Sequence, residues 1–256
     1  MFRVLIPARY ASTRLPGKPL RMLVGRPLIE HVHARALRSG AFEVIVATDD
    51  ERIASACRGF GAAVEMTDPG HASGTDRLAE VARARRWPGE DIVVNVQGDE
   101  PLLAPANVAQ AARLLAAQPW AALATLATPL GSLEQFLDPN VVKVVADAAG
   151  RALYFSRAPI PWPRAAAPGG SATPISYAGA WRHIGLYAYR VAALLRFAAL
   201  PVGRLENCER LEQLRALEHG LAIAVALAAE APGPGVDTES DLESVARLIA
   251  SGRVAT

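Results

Sequence analysis

The sequence predicts an α/β protein built on a mostly parallel central sheet that is flanked by helices. Short apolar runs rich in β-branched residues alternate with helical patterns, an order that is typical of βαβ units. Of the 256 residues, 51% are hydrophobic and 20% are charged, which provides a large core and excludes an intrinsically disordered chain. No Ser/Gly-rich or acidic linker divides the sequence, so we expect a single domain over residues 1–256.

Strands and helices alternate regularly in the first half of the chain. The predicted strands cover 2–6, 43–48, 62–66, 91–96 and 121–127, and the predicted helices cover 27–39, 51–58, 77–86 and 105–117. Ligands of such sheets bind at the carboxyl ends of the strands. Polar motifs that directly follow a strand are therefore the first candidates for a site.

The second half of the chain has a different pattern. Apolar runs around a turn-forming tetrad at 147–150 predict a β-hairpin, and residues 158–180, rich in Pro, Gly, Ala and Ser, predict a long loop. An amphipathic helix is expected at 206–219, with Leu211, Leu214 and Leu217 on one face that is a candidate dimer contact. The remaining expected elements are strands at 183–189 and 222–227 and a terminal helix at 240–251.

Several classes of protein are excluded by simple features of the sequence. The longest charge-free stretch, residues 114–133, is interrupted by two prolines and a glycine, so we expect no membrane span. The first apolar run meets Pro7 too early for a signal peptide. Cys57 and Cys208 lack metal-ligand spacing and cannot form a disulfide framework. Together these features predict a cytoplasmic protein.

The net charge of +2 conceals an uneven distribution. Residues 1–38 carry eight basic side chains and a single acid, Glu30, whereas the rest of the chain is mildly acidic. A short basic segment of this kind favours a compact polyanion such as a nucleoside triphosphate. We expect no nucleic-acid partner, because no basic stripe is interleaved with aromatic residues.

The loop after the first strand, PARYASTRLPGKPL at 7–20, carries much of this positive charge. It offers backbone amides, hydroxyls and the side chains of Arg9, Arg14 and Lys18, which favour phosphate binding. It is not a Walker A motif, since Pro19 follows the Gly-Lys pair and Ser12 stands where that motif needs glycine. Lys18 and Lys143 are the only lysines, so a lysine here departs from the arginine usage of the chain.

Two carboxylates are candidates for a divalent cation. Asp99 lies in the VNVQGDEP motif at 94–101, which ends the fourth predicted strand and in which Gly98 permits close backbone approach. Asp237 lies in GVDTESDLE at 235–243. Each aspartate has an alternative interpretation as a helix cap, which the sequence leaves open.

Nine motifs in one order resemble the 3-deoxy-manno-octulosonate (Kdo) cytidylyltransferase, or CMP-Kdo synthetase, family almost from end to end. They are IPARYASTRLPGKPL (6–20), VATDD (46–50), SGTDRLAEV (73–81), VNVQGDEP (94–101), NVVKVV (140–145), LYFSRAPIPW (153–162), HIGLYAYR (183–190), LEQLRALE (211–218) and GVDTESDLE (235–243). The resemblance implies a Rossmann-like nucleotidyltransferase fold, a homodimer and a magnesium requirement. It also implies the reaction CTP + Kdo giving CMP-Kdo and pyrophosphate, for lipopolysaccharide. Approximate sub-lobes would be a CTP-binding part, 1–130, and a smaller mixed-sheet part for the sugar and dimerisation, 131–256.

The resemblance also assigns roles residue by residue. It implies a CTP-binding set made of Ala8, Arg9, Arg14, Lys18, Ser73, Arg77, Gln97, Gly98 and Asp99. Lys18, Arg14, Asp99 and Asp237 would be catalytic, and the two aspartates would hold Mg²⁺. The implied sugar-binding set is Arg157, His183, Tyr187, Glu212 and Gln213.

Patterns alone leave alternatives for several of these positions. His183 is also explained as a structural histidine, Tyr187 as a core residue, and Glu209 with Glu212 as one solvated helix face. At the level of function, the alternatives are a cytidylyltransferase for 8-amino-Kdo or sialic acid, a guanylyl- or thymidylyltransferase for sugar 1-phosphates, and a nucleotide-binding module without turnover.

Overall fold

The computed structural model describes residues 1–12, 14–164, 177 and 179–251. Within these residues the strands are β1 Phe2–Ala8, β2 Met22–Leu23, β3 Arg26–Pro27, β4 Glu43–Thr48, β5 Ala63–Met66, β6 Ile92–Asn95, β7 Leu123–Pro129, β8 Lys143–Ala146, β9 Ala152–Ser156, β10 Trp181–Arg190 and β11 Ile223–Leu227. The helices are α1 Leu28–Leu37, α2 Glu51–Gly59, α3 Gly74–Ala84, α4 Pro105–Ala117, α5 Leu133–Leu137, α6 Val191–Ala198, α7 Arg204–Glu209, α8 Gln213–Glu218 and α9 Glu239–Ala250.

The central sheet has the strand order β11-β7-β10-β6-β1-β4-β5. β10 is antiparallel to both of its neighbours, β6 and β7, while the other pairs along this path are parallel. Six of these seven strands therefore point the same way, which confirms the predicted mostly parallel α/β sheet. The predicted hairpin is also present, because β8 pairs with β9 in antiparallel register.

Apolar side chains pack on both faces of the sheet. Along β1, Val4 and Ile6 join the core that includes Ile29 of α1 and Val108 of α4, whereas Leu5 faces the core that includes Leu78 of α3. This alternation follows from the two-residue period of a strand. Helices consequently cover both faces and leave the strand ends open for polar groups.

Two predicted helices have different bounds in the structure. α3 begins at Gly74 rather than at residue 77, because Ser73 and Asp76 form a reciprocal capping box. The helix predicted at 206–219 is broken into α7 and α8 by Arg210, whose φ of 53° is left-handed. The prediction that Glu209 and Glu212 share one helix face is therefore wrong.

The leucine face of that segment is not a free surface. Leu211 is 6% exposed and Leu214 is fully buried, and both belong to the core on the face of the sheet that α3 covers. These two leucines stabilise the single chain and are not available for the predicted dimer contact, while Leu217 packs partly buried against the same core.

Most of the loop predicted at 158–180 lies outside the described residues. None of the described helices is long and apolar enough to cross a membrane.

Lys143 is a fully buried cation in the hairpin. Its Nζ atom donates hydrogen bonds to three backbone carbonyls, Asp138 O at 2.8 Å, Val141 O at 2.5 Å and Arg157 O at 2.7 Å. All three protons of the ammonium group are thereby used, which accounts for the burial of a charged side chain.

We predict that Lys143→Met lowers the free energy of unfolding by about 3 kcal/mol, because the three carbonyls of Asp138, Val141 and Arg157 each lose a hydrogen bond from the ammonium group. Urea denaturation measures this loss. Leu153→Ala on the neighbouring strand is the control, since Leu153 is 59% exposed, and it should change stability by less than about 0.5 kcal/mol. Equal stability of Lys143→Met and the wild type would contradict the prediction.

Candidate functional site

A cavity of about 300 Å³ opens where β1 and β6 end. The structure brings together here every residue of the implied CTP-binding set, together with Asp237: the lining includes Ala8, Arg9, Arg14, Lys18, Ser73, Arg77, Gln97, Gly98, Asp99 and Asp237. These side chains come from four separate segments of the chain. Their meeting at the strand ends agrees with the expected location of ligands in an α/β sheet.

Lys18 is the central charge of this cavity. Its Nζ atom lies 2.7 Å from Asp99 Oδ2 and 2.9 Å from Asp237 Oδ1, and Arg14 Nη2 lies 3.0 Å from the same Asp237 oxygen. Burial acts to lower the pKa of Lys18, but the two carboxylates outweigh it and raise the pKa above its ordinary value. Lys18 is therefore a permanent cation between two carboxylates.

The loop that carries Lys18 is held by local packing. Gly17 has a left-handed φ of 66°, and an added Cβ would lie 3.1 Å from the Tyr10 ring, so glycine is required at this turn. Leu15 is buried against α9 and its preceding segment, and the guanidinium of Arg52 stacks 3.4 Å from the centre of the Tyr10 ring. The loop is thus a preformed wall of the cavity.

Asp237 reaches the cavity because its segment packs closely on the turn after β6. Val236 N donates to Asp99 O at 2.9 Å, and a Cβ on Gly233 would lie 2.5 Å from Leu102 Cβ. Thr238, not Asp237, caps α9 in a capping box with Asp241. The carboxylate of Asp237 is consequently left to face Lys18.

The opposite wall of the cavity is the start of α3. Gly98 lets the turn after β6 approach the end of β1 closely, since an added Cβ would lie 3.0 Å from Pro7 O. Arg77 is 4% exposed and is held by Asp49 Oδ2 at 3.1 Å and by a hydrogen bond to Thr67 Oγ1. Arg9, by contrast, is exposed at the mouth of the cavity.

The donor set fits a magnesium ion that is shared with a triphosphate. Asp99 and Asp237 direct carboxylate oxygens at one atom, Lys18 Nζ, and Mg²⁺ is usually bound by one or two carboxylates together with substrate phosphates. Within the described segments, no group of three or more His, Cys, Asp or Glu side chains is arranged to hold a metal. The pair would therefore need oxygens from a ligand and water.

Beside this charged cavity lies a second polar region on the α3 and α8 face of the sheet. Asn95 and Tyr187 are directly paired on β6 and β10, and Thr75 Oγ1 donates to Glu212 Oε2 at 2.7 Å. Asn95 Oδ1, Tyr187 OH and Glu212 Oε1 are buried without a hydrogen-bond partner among the described residues. Burial raises the pKa of both Tyr187 and Glu212. Such orphaned polar atoms favour a polar ligand.

His183 borders this region and is structurally satisfied at one nitrogen. Its Nε2 atom lies 2.9 Å from Thr125 Oγ1, and its ring packs edge-on against Phe155 and near Tyr187. The Thr125 hydroxyl is 2.8 Å from Leu186 O. Because that hydroxyl has one proton, it can donate to the carbonyl and accept from His183 Nε2–H, which places the proton of the neutral imidazole on Nε2.

The two remaining implied sugar-binding residues differ in their surroundings. Gln213 is 8% exposed at the start of α8. Arg157 is committed to the protein itself: Nε donates to Glu209 O at 2.6 Å and Nη1 donates to Pro139 O at 2.9 Å. Two of its three guanidinium nitrogens therefore already have acceptors, which leaves less of the group available for a ligand.

Sequence reasoning missed three residues in or near the site. His71 lines the cavity and lies 2.5 Å from Glu80 Oε2, and Asn95 presents a buried unpaired oxygen. Glu209 accepts several hydrogen bonds at the end of α7. The polar residue Asn95 inside the apolar run DIVVNV was a usable signal. The partners of Glu209, by contrast, lie more than 50 residues away, and the contact of His71 with Glu80 joins the segment before α3 to α3 itself.

We predict a specific contribution of His183 to acid lability. Burial lowers the pKa of His183 to about 3, whereas an unfolded histidine titrates near pH ~6.5. Between these values the unfolded chain binds more protons, so the free energy of unfolding falls as the pH falls. Urea denaturation at about pH 7.5 and about pH 4.5 should therefore show a smaller acid loss in His183→Asn than in the wild type.

Thr125→Val is the matched control, because it removes the same hydrogen bond without removing a titratable group. It should lower stability by a similar amount at both pH values. An equal acid loss in His183→Asn and the wild type would contradict the prediction.

Comparison with known proteins places the chain in a family. The family described as Cytidylyltransferase matches residues 3–223. The chain is 58% identical to a 3-deoxy-manno-octulosonate cytidylyltransferase of Thioalkalivibrio sulfidiphilus, over 97% of this chain and 98% of that protein. It is 55% identical to a protein of the same name from Halorhodospira halophila, over 98% of both chains.

Solved structures agree with this placement. A CMP:2-keto-3-deoxy-manno-octonic acid synthetase complexed with CTP is similar with a TM-score of 0.87 and 42% identity, covering 98% of this chain and all of that one. A nucleotidyl transferase from Methanothermobacter thermautotroptrophicus, at 18% identity and a TM-score of 0.63, shares the fold. On the strength of full-length relatives at 55–58% identity, this protein belongs to the 3-deoxy-manno-octulosonate cytidylyltransferase family.

Proposed function

We propose that the protein transfers CMP from CTP to the anomeric hydroxyl of Kdo and releases pyrophosphate, supplying CMP-Kdo for lipopolysaccharide in the cytoplasm. The observation that carries the proposal is the Lys18–Asp99–Asp237 contact inside a cavity lined by basic groups. The orphaned polar atoms beside it support a polyhydroxylated second substrate. The names of the full-length relatives and the CTP complex of a similar enzyme support the two substrates.

The reaction mainly requires that the two substrates are positioned and that the negative charge of the phosphates is neutralised. The sugar hydroxyl attacks the α-phosphorus in line with the departing pyrophosphate, and negative charge develops on the leaving oxygens. Lys18 and Arg14 stand in the cavity wall with their charges fixed before the substrate arrives. We assign them the stabilisation of the leaving pyrophosphate, with Arg9 at the mouth of the cavity binding the phosphate chain.

We assign Asp99 and Asp237 to Mg²⁺, whose chemistry when bound would be to neutralise phosphate charge and to lower the pKa of the attacking hydroxyl. Removing either carboxylate would leave Lys18 with one partner. Ala8, Ser73, Arg77, Gln97 and Gly98 complete the proposed nucleotide site. The start of α3 at Gly74 adds backbone N–H groups and the positive end of the helix dipole at the same wall.

The sugar is assigned to the region of Tyr187, Glu212, Gln213 and His183, with Arg157 at its rim. The unpaired Tyr187 OH and Glu212 Oε1 would each gain a hydrogen bond from a sugar hydroxyl, which removes the cost of an unsatisfied buried group. A homodimer remains part of the proposal on the family resemblance.

The proposal is tested by pyrophosphate release from the purified protein with Mg²⁺. We expect release that requires both CTP and Kdo, with ATP, GTP or UTP replacing CTP poorly and with sialic acid or 8-amino-Kdo replacing Kdo poorly. Release with another acid sugar would contradict the substrate assignment. CTP binding without release under any condition would favour a non-catalytic module.

We predict that Asp99→Ala abolishes detectable turnover while CTP binding persists, because the phosphate-binding cations stay in place when one proposed metal ligand is lost. Pyrophosphate release and calorimetric titration with CTP measure the two effects. Asp68→Ala, an exposed aspartate that follows β5 outside the cavity lining, is the matched control and should keep wild-type turnover. Near-normal activity of Asp99→Ala would refute the metal assignment.

A further inference from the structure

Glu209, the last residue of α7, accepts several hydrogen bonds from β9 and from Arg157, the residue that follows this strand. Its carboxylate accepts from Tyr154 OH at 3.0 Å, from Ser156 Oγ at 3.0 Å and from Arg157 N at 2.6 Å. Its backbone carbonyl accepts from Arg157 Nε at 2.6 Å. One residue thus fixes both the backbone and the guanidinium of Arg157.

The same residue lies at the break between α7 and α8. Arg210, the next residue, has a left-handed φ of 53°, and Glu212 and Gln213 follow within one turn. Glu212 reaches Thr75 of α3 at 2.7 Å. The anchoring of Glu209 to β9 therefore also sets where the chain leaves α7 and enters the polar region beneath the sheet.

Arg157 directly follows β9, which reaches that region. Phe155 of this strand packs its ring 5.0 Å from that of His183. With Nε and Nη1 bound to carbonyls, Nη2 has no hydrogen-bond acceptor among the described residues. The guanidinium is held in one orientation with one nitrogen left to contact a ligand.

We propose that Glu209 is a positioning residue for the acid-sugar subsite, where it holds Arg157 on one side and Glu212 and Gln213 on the other. This inference rests on the proposed function, since it names the part of that site through which Glu209 acts. Glu209 touches no reacting atom. Its removal should weaken sugar binding and leave nucleotide binding intact, because none of its partners lines the cavity at Lys18.

The test compares Glu209→Gln with the wild type in steady-state kinetics and in hydrogen exchange. Glutamine keeps the shape but removes the charge and one acceptor oxygen, so we expect KM for Kdo to rise about tenfold, or about 1.4 kcal/mol, with KM for CTP unchanged. Amide exchange should rise at 154–158 and 210–213. Tyr154→Phe, which removes a single donor, should produce a smaller rise in KM for Kdo and serves if Glu209→Gln folds poorly.

Glu218→Gln is the matched control. Glu218 also accepts a backbone N–H in this segment, from Leu205 at 3.1 Å, and it forms no hydrogen bond or ion pair with β9 among the described residues. It should leave both KM values unchanged. Unchanged exchange at 154–158 in Glu209→Gln would overturn the inference whatever the activity, as would increased exchange with both KM values unchanged. Absence of Kdo-dependent release in the wild type would instead refute the proposed function, and with it the ligand of this subsite.

Discussion

The contact of one ammonium group with two carboxylates organises the site. Lys18, Asp99 and Asp237 come from the loop after β1, the turn after β6 and the segment before α9. Two aspartate carboxylates that contact the same Nζ atom would repel each other without a cation between them. A further carboxylate at this place is already hard to ionise: burial, and after it the charge of Asp99, raises the pKa of the neighbouring Glu100 to about 7. The cavity therefore needs positive charge to stay assembled, which is also what a triphosphate with its cation requires.

The rest of the fold can be understood as the support for that contact. Parallel strands bring the turns after β1 and β6 to one edge of the sheet, and β6 pairs directly with β1. Asp237 is held in place differently, because it lies ten residues after the end of the last strand, β11. Val236, Leu242 and Val245 are buried with Leu15 of the loop, so the terminal helix and the loop share one small core. This core fixes the two charged segments against each other.

The helices and strands were predicted well from the sequence, because regular secondary structure follows from the order of polar and apolar residues along the chain. Hydrophobic periodicity located most strands and long helices, and the loop at 7–20 was identified by its charge and its proline and glycine residues. The break at Arg210 was not predictable, since an arginine gives no local signal for a left-handed φ. The hydrogen bonds of Glu209 and of Arg157 join β9 to α7 across more than 50 residues, and a single sequence carries no record of such tertiary partners.

The two halves of the site use opposite electrostatic arrangements. Around Lys18 the charges are paired and partly exposed, whereas beside Tyr187 buried polar atoms lack a hydrogen-bond partner among the described residues. In the proposed reaction, Asp99 and Asp237 together hold a divalent cation on the nucleotide. The most direct test is electron paramagnetic resonance of Mn²⁺ binding in the presence of CTP, for the wild type, Asp99→Asn and Asp237→Asn. Each substitution should weaken Mn²⁺ binding by about tenfold or more, and unchanged Mn²⁺ affinity in both variants would contradict the assignment of the two aspartates to the cation.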